Sequence, residues 1–148
     1  MAIYLKRKYP NHTPIELAHE LKILVFAAPL QNTRGMYRYM QRTKCVYLNN
    51  SLLRNNCLKV FDMVAYHEIG HSIFDPKINS EFIGNKTLSS TSANEVRANT
   101  FSAEMIIDDE SMEYFREHGY NFDQMAAALG VHPLLVKLKY NSMYNTSV

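Results

Sequence analysis

His67 and His71 stand four residues apart, with Glu68 directly after the first, in the run His67-Glu68-Ile69-Gly70-His71. In a helix each residue advances about 100°, so these imidazoles lie about 40° apart on one face, one turn from each other. Two nitrogen donors so placed can share one divalent cation. Glu68 falls about 60° round from His71, where its carboxylate reaches a water on the cation without being a ligand itself. The chemistry served is metal-assisted hydrolysis. The cation brings the pKa of water down to about 7 and polarises a carbonyl, and Glu68 removes the proton and passes it to the leaving amine.

A catalytic zinc site of this type has three protein ligands and one open position, so another donor must come from elsewhere. The long metzincin pattern would need glycine at 74 and histidine at 77, where Phe74 and Lys77 stand instead. Glu95 is the favoured candidate, because its helical face carries Asn99, Ser102 and Ile106 with Ala98 close by, mostly small enough to let two helices approach. Glu81 and Asp75 remain alternatives, while Glu104 would point about 180° away from Glu95. A competing local reading makes Glu95 part of a capping box with Ser92. His118 and His132 fall near segment ends and read as solvated or capping groups. Zinc is the natural ion for two imidazoles and a carboxylate, and manganese and iron accept the same ligand types.

These groups need elements to hold them. From about Leu58 to Phe74 apolar residues recur at three and four, and Asp75-Pro76 stops the run, which predicts a helix carrying the motif. Gly70 inside it costs about 1 kcal/mol, a cost explained by close approach of substrate or a neighbouring strand. A second helix is predicted over roughly Ala93 to Ile107, with Ala98, Phe101 and Met105 on one side. Between the two, Pro76 to Ser92 is polar, contains glycine and reads as a long loop around the cleft. Upstream, Thr13-Pro14-Ile15-Glu16 combines a capping box with proline at the first helical position. Ile23 to Ala28, Met36 to Gln41 and Cys45 to Leu48 have strand composition and predict a sheet of about three strands. Downstream, a short segment around Met112 to Arg116 precedes Phe122 to Leu129, a Gly130-Val131 turn and Pro133 to Tyr140, a compact helical pair.

The 148 residues suffice for one domain with its own core and are too few for two of ordinary size. A hydrophobic fraction of 47% with 20% charged residues is that of a globular chain, and a net charge of +2 implies no polyanion partner. The basic cluster Lys6-Arg7-Lys8 is followed by polar Tyr9 to Thr13 rather than the apolar stretch of a signal peptide. Ile23 to Leu30 is far too short to span a bilayer. Cys45 and Cys57 form neither a metal knuckle nor a disulfide framework and read as reduced thiols. A soluble cytoplasmic protein without a membrane partner is the expectation.

With the motif and the Glu95-Val-Arg-Ala98-Asn-Thr-Phe101-Ser-Ala103-Glu-Met-Ile stretch in hand, the chain resembles the ImmA/IrrE family of metallopeptidases over nearly its whole length. Pro14-Ile-Glu16-Leu-Ala18 is similar to that family's early helix, and Gly35-Met-Tyr37 to its strand before the motif. The resemblance implies an α+β, compact zincin-like fold of mini-gluzincin type, a three-stranded sheet packed on the motif helix. Residues 1–148 would be a single domain, with a core over 1–110 and a helical subdomain over 111–148. It implies His67, His71 and Glu95 as zinc ligands and Glu68 as catalytic acid/base. Known members cleave helix-turn-helix repressors, so the implied partner is such a repressor, cut to derepress phage or mobile-element genes. Asn99, Ser102 and Asp108-Asp109 depart from the family's usual residues, which leaves the ligands untouched and the substrate's identity open.

A substrate peptide would lie extended beside an exposed strand edge, for which the Val46 to Leu48 strand is the candidate. Tyr37, Tyr39 and Tyr47 would line the cleft or pack half-buried. Two rival functions differ in kind from an enzyme. One is a module that sequesters a repressor without cutting it. The other is DNA binding, since Met125 to Val136 resembles a helix-turn-helix in its small residues and glycine turn. Against DNA, the recognition helix offers little beyond Lys137 and Lys139, fewer than the several phosphate contacts required.

Overall fold

The computed structural model describes residues 1–53 and 58–145 of the chain. Helices α1 (Ala2–Lys8) and α2 (Pro14–Glu20) precede strands β1 (Ile23–Ala28), β2 (Gly35–Met40) and β3 (Thr43–Asn49). A 3-10 turn at Asn50–Leu53 comes before the long helix α3 (Leu58–Phe74), which is followed by β4 (Ser80–Phe82) and α4 (Gly84–Leu88). Then come α5 (Ala93–Ile106), α6 (Asp109–Glu117), α7 (Phe122–Leu129) and α8 (Pro133–Tyr144).

Local chemistry sets many of these boundaries. Thr13 and Glu16 form the reciprocal capping box, Thr13 N–H donating to Glu16 Oε2 at 2.7 Å and Glu16 N–H to Thr13 Oγ1 at 3.2 Å. Asn121 and Gln124 do the same at the start of α7, which ends at Gly130 in the left-handed region (φ 67°). His132 caps α8, accepting from Leu134 N–H at 3.1 Å, and Pro133 occupies its first position. Asp108 caps α6, its Oδ1 accepting from Ser111 N–H at 2.7 Å.

The sheet runs β1-β3-β2-β4, with β1 parallel to β3 and β2 antiparallel to both β3 and β4. It therefore has four strands where three were expected. The additional strand and α4 both come from the segment read as a loop. Three residues are too few to show a period, and β4 exists because β2 offers it an edge, Gly35 to Tyr37 opposite Phe82 to Ser80. A second correction concerns the Val46 to Leu48 strand: β3 has β1 on one side and β2 on the other, so it is no free edge. The sheet's edges are β1 and β4.

Helix α3 covers one sheet face and α5 packs along α3. Gly35 permits the first contact, because a Cβ there would sit 2.6 Å from Val64 Cγ1 and 3.3 Å from Glu68 Cγ. Gly70 permits the second: its Cβ would meet Ala98 Cα and Phe101 Cδ1, each at 3.2 Å. The cost of glycine in α3 is thus explained by a neighbouring helix, not by a strand or substrate. One hydrophobic cluster extends from Leu5 on α1 to Leu135 and Val136 on α8. Beside it the buried Lys139 donates to Glu104 at 2.9 Å and Asp109 at 2.5 Å, tying α8 to α5 and α6. Cys45 is a buried free thiol, and Cys57 lies outside the described residues. Among the described residues no helix is long and apolar enough to cross a membrane.

Candidate metal centre

Helix α3 carries His67 and His71 inward, and both are fully buried. Their Nε2 atoms face each other at 2.9 Å. From the first turn of α5, Glu95 brings Oε2 to 3.1 Å from His67 Nε2 and 3.3 Å from His71 Nε2. The structure thus brings together the three predicted ligand residues and places Glu68, also fully buried, on the same helix. Ser92 does not cap Glu95, since its hydroxyl bonds Asn94 Oδ1 at 2.6 Å instead, so the local capping reading fails.

The donor set fits a cation. Asn99 Oδ1 lies 2.7 Å from His67 Nδ1 and can only accept, so Nδ1 carries the proton and Nε2 presents its lone pair to the centre. Glu95 Oε2, Glu68 Oε1 and His71 Nδ1 are buried with no hydrogen-bond partner among the described residues. A zinc tetrahedron with bonds of about 2.0–2.1 Å has edges of about 3.3 Å, close to the triangle formed here. Burial, the largest influence on His67, lowers its pKa and keeps the imidazole neutral, as a ligand must be. Burial, the largest influence on Glu95, raises its carboxyl, but hydrogen bonds and charge from His67 and His71, made where the imidazoles carry the Nε2 proton that a cation would replace, outweigh it and hold the pKa at about 2. Burial raises Glu68 well above the usual carboxylate range, opposed by a hydrogen bond from Ser80.

The other candidates are engaged elsewhere. Asp75 pairs with Arg97 at 2.7 Å and Glu81 with Arg38 at 2.9 Å, so neither alternative third ligand points at the histidines. Glu104 binds Lys139. His118 ends α6 with Nδ1 2.7 Å from Tyr114 O, and His132 caps α8. Tyr37 is buried with its hydroxyl donating to Pro76 O at 2.6 Å, while Tyr47 packs on Phe26 on the sheet face away from α3. Neither lines a cleft at the centre. Lys139, one of two cations expected to contact DNA, is 1% exposed and consumed by its ion pairs.

Several supporting residues had not been assigned a role from sequence. Asn99 was visible only as a small member of the Glu95 face. Its amide is fixed by Nδ2 donating to Thr87 O at 3.1 Å, which aims Oδ1 at His67. Ser102, from the same face, donates to Met63 O at 2.8 Å and ties α5 to α3. Strand β4 forms another wall: Ser80 Oγ donates to Glu68 Oε2 at 3.2 Å, and Phe82 packs edge-on against the His67 ring, centroids 4.8 Å apart. The one sequence clue to Asn99 was its helical offset of four from Glu95.

Comparison with known proteins identifies relatives of the chain. A relative from Bacillus phage phi105, described as "Uncharacterized immunity region protein 2", is 33% identical over 136 residues, covering 91% of this chain and 84% of its own length. The profile of the IrrE N-terminal-like domain, Peptidase_M78, matches residues 18–140. The α+β fold, with its small sheet on the motif helix, is accordingly of the compact zincin-like type. This chain belongs to the Peptidase_M78 family of IrrE N-terminal-like domains.

Proposed function

We propose that the protein is a zinc-dependent endopeptidase that cuts a helix-turn-helix repressor in the cytoplasm and thereby releases phage or mobile-element genes. The observation that carries this reading is the convergence of His67 Nε2, His71 Nε2 and Glu95 Oε2 within 3.3 Å of one another. In it, these three residues hold the ion and Glu68 is the catalytic acid/base. When bound, the ion supplies Lewis acidity towards water and a substrate carbonyl. The chain's own groups do the rest. Ser80 pins Glu68 Oε2, leaving Oε1 to take a proton from the attacking water and deliver it to the leaving nitrogen. Burial, by raising the Glu68 pKa, lets the carboxyl hold that proton between the two steps. Asn99 keeps the His67 proton on Nδ1 and Nε2 pointed at the ion.

An extended substrate segment needs a strand to lie against, and β4 is the sheet edge whose Ser80 touches Glu68. The name of the phage relative concerns an immunity region, and a repressor is the substrate class that the family resemblance implies.

The test is incubation with the repressor encoded by a neighbouring gene, with and without chelator, read by intact mass. Two fragments summing to the repressor plus one water are expected, and chelator or Glu68→Gln should abolish them while the variant still binds metal. An intact repressor after incubation with the metal-loaded wild type would sink the endopeptidase reading. Derepression by Glu68→Gln would favour sequestration instead.

A further inference from the structure

We infer that the cavity beside the first turns of α3 is the subsite that sets cleavage specificity, and that it takes an acidic side chain of the substrate, glutamate by preference, within two residues of the cut bond. This inference rests on the endopeptidase reading and adds what that site selects.

The cavity, about 250 Å³, opens between α3, α4 and the α7–α8 turn. Its position ties it to the candidate metal centre. Val60 and Met63 in its wall precede His67 and His71 at helical offsets of three and four, so all four follow one stripe of α3. At 1.5 Å per residue, Met63 stands about 6 Å along the helix from His67. On the sheet side, Arg34 lines the cavity and donates its N–H to Phe82 O at 2.8 Å, and its neighbour Gly35 is the residue that leaves room for Glu68. Phe82 lies two residues, or about 7 Å, along β4 from Ser80, which holds Glu68. Both measures set the cavity about two residues of extended peptide from the bond that Glu68 would serve.

The lining selects an anion. Arg34, Lys59 and His132 border the cavity, and no carboxylate does among the described residues. The Arg34 backbone is clamped on both sides, by Phe82 O and by Asn49 N–H at 2.8 Å each. Its half-buried guanidinium has no acceptor among the described residues, whereas that of Arg38 is occupied by Glu81 and Ser80 O. Lys59 Nζ donates to Leu129 O at the end of α7 and would lie 3.1 Å from a Cβ at Gly130, so the glycine turn fixes the ammonium at the rim. His132 Nδ1 accepts from Leu134 N–H, which leaves Nε2–H to donate. The remaining wall is mainly apolar, with Val60, Met63, Leu88 and Leu135. A glutamate meets both requirements, its methylenes lying on the apolar wall and its carboxylate matching a guanidinium in bidentate geometry. The volume falls below the about 300–1,000 Å³ of small-molecule sites and suits one side chain rather than a whole free ligand.

The test uses the neighbouring-gene repressor and the metal-loaded full chain, with the cut mapped by intact mass. A Glu or Asp should lie within two residues of the cut, and replacing it by Gln or Asn should lower kcat/KM about 10–100-fold. With Arg34→Gln that difference between the two repressors should largely disappear, while the amide-bearing repressor is cut as fast as by the wild type. Should Arg34→Gln lose metal content or helical circular dichroism, Lys59→Gln supplies the same comparison, again with a reduced difference. A cut with no acidic residue within two positions, or a difference undiminished in the folded variant, would overturn the subsite and leave the endopeptidase reading standing. A repressor left intact by the wild type would remove that reading and the subsite with it.

Discussion

At the scale of single residues, the centre rests on how each donor is oriented. His67 is held in one tautomer by Asn99, itself anchored on Thr87 O, so the direction of the candidate ligand nitrogen depends on a residue outside the His67–His71–Glu95 triangle. Asn99→Ala should weaken metal binding about 10–100-fold in competition with a chelating dye, with Asn99→Asp recovering much of it. A pH prediction follows from the same groups. Glu95, held at about 2, stays charged as pH falls through 4.5 and loses its contribution only towards 2. Metal release on acidification should therefore follow imidazole protonation. Burial lowers the His67 pKa, so release should begin below about 6.5. Metal content after dialysis against a pH series, with imidazole protonation followed by NMR on the same samples, checks this, and metal lost while both imidazoles stay neutral would contradict it. His67, Glu68 and His71 were legible because their geometry is local to one helix. Ser80 and Asn99 were not, because their roles arise only where β4 and α5 meet α3.

At the scale of elements, two glycines decide how closely the parts of the site approach. Gly70 lets α5 lie against α3, which brings Glu95 within reach of the histidines. Gly70→Val should cost about 1–3 kcal/mol by overpacking and weaken metal binding in the same protein, read from melting curves with and without metal. Gly35 does the corresponding service on the sheet side, where any Cβ would press on Val64 and Glu68. Gly35→Val is expected to lower cleavage more than metal binding, measured by turnover and metal content on one sample. The helices that carry the ligands could be read from their apolar period and caps, nearly to the residue for α3 and α5. Strand β4 and helix α4 could not, because elements of three and five residues form through tertiary pairing rather than through any pattern of their own. The same cause hid the sheet order, so β3 was mistaken for an edge.

At the scale of the molecule, α8 is fastened through α5 to the half that carries the candidate metal centre. Leu135 and Val136 join the common core, and Lys139 bridges Glu104 and Asp109. Desolvation pulls the Lys139 ammonium down, but its hydrogen bonds to Asp109 and Glu104 and their charge prevail, so its pKa is raised. That contribution is fully present below 10.5 and is lost only as pH climbs through the raised value. Lys139→Met should cost about 2 kcal/mol, less than loss from a fully enclosed pair because Asp109 stays open to water. A chain with one core should unfold in a single calorimetric transition, and deleting residues 111–148 should remove that transition rather than leave a folded 1–110 core. The helical pair resembled a DNA reader in sequence because a glycine turn between apolar helices serves packing equally well. Burial of Lys139 could not be seen without its partners on α5 and α6.

The most direct test of the central claim is X-ray absorption at the zinc edge of the loaded protein, compared with Glu95→Ala. Two imidazole nitrogens and a carboxylate oxygen should surround one ion per chain, and the carboxylate contribution should vanish in the variant. A first shell without imidazole, or one unchanged by loss of Glu95, would contradict it.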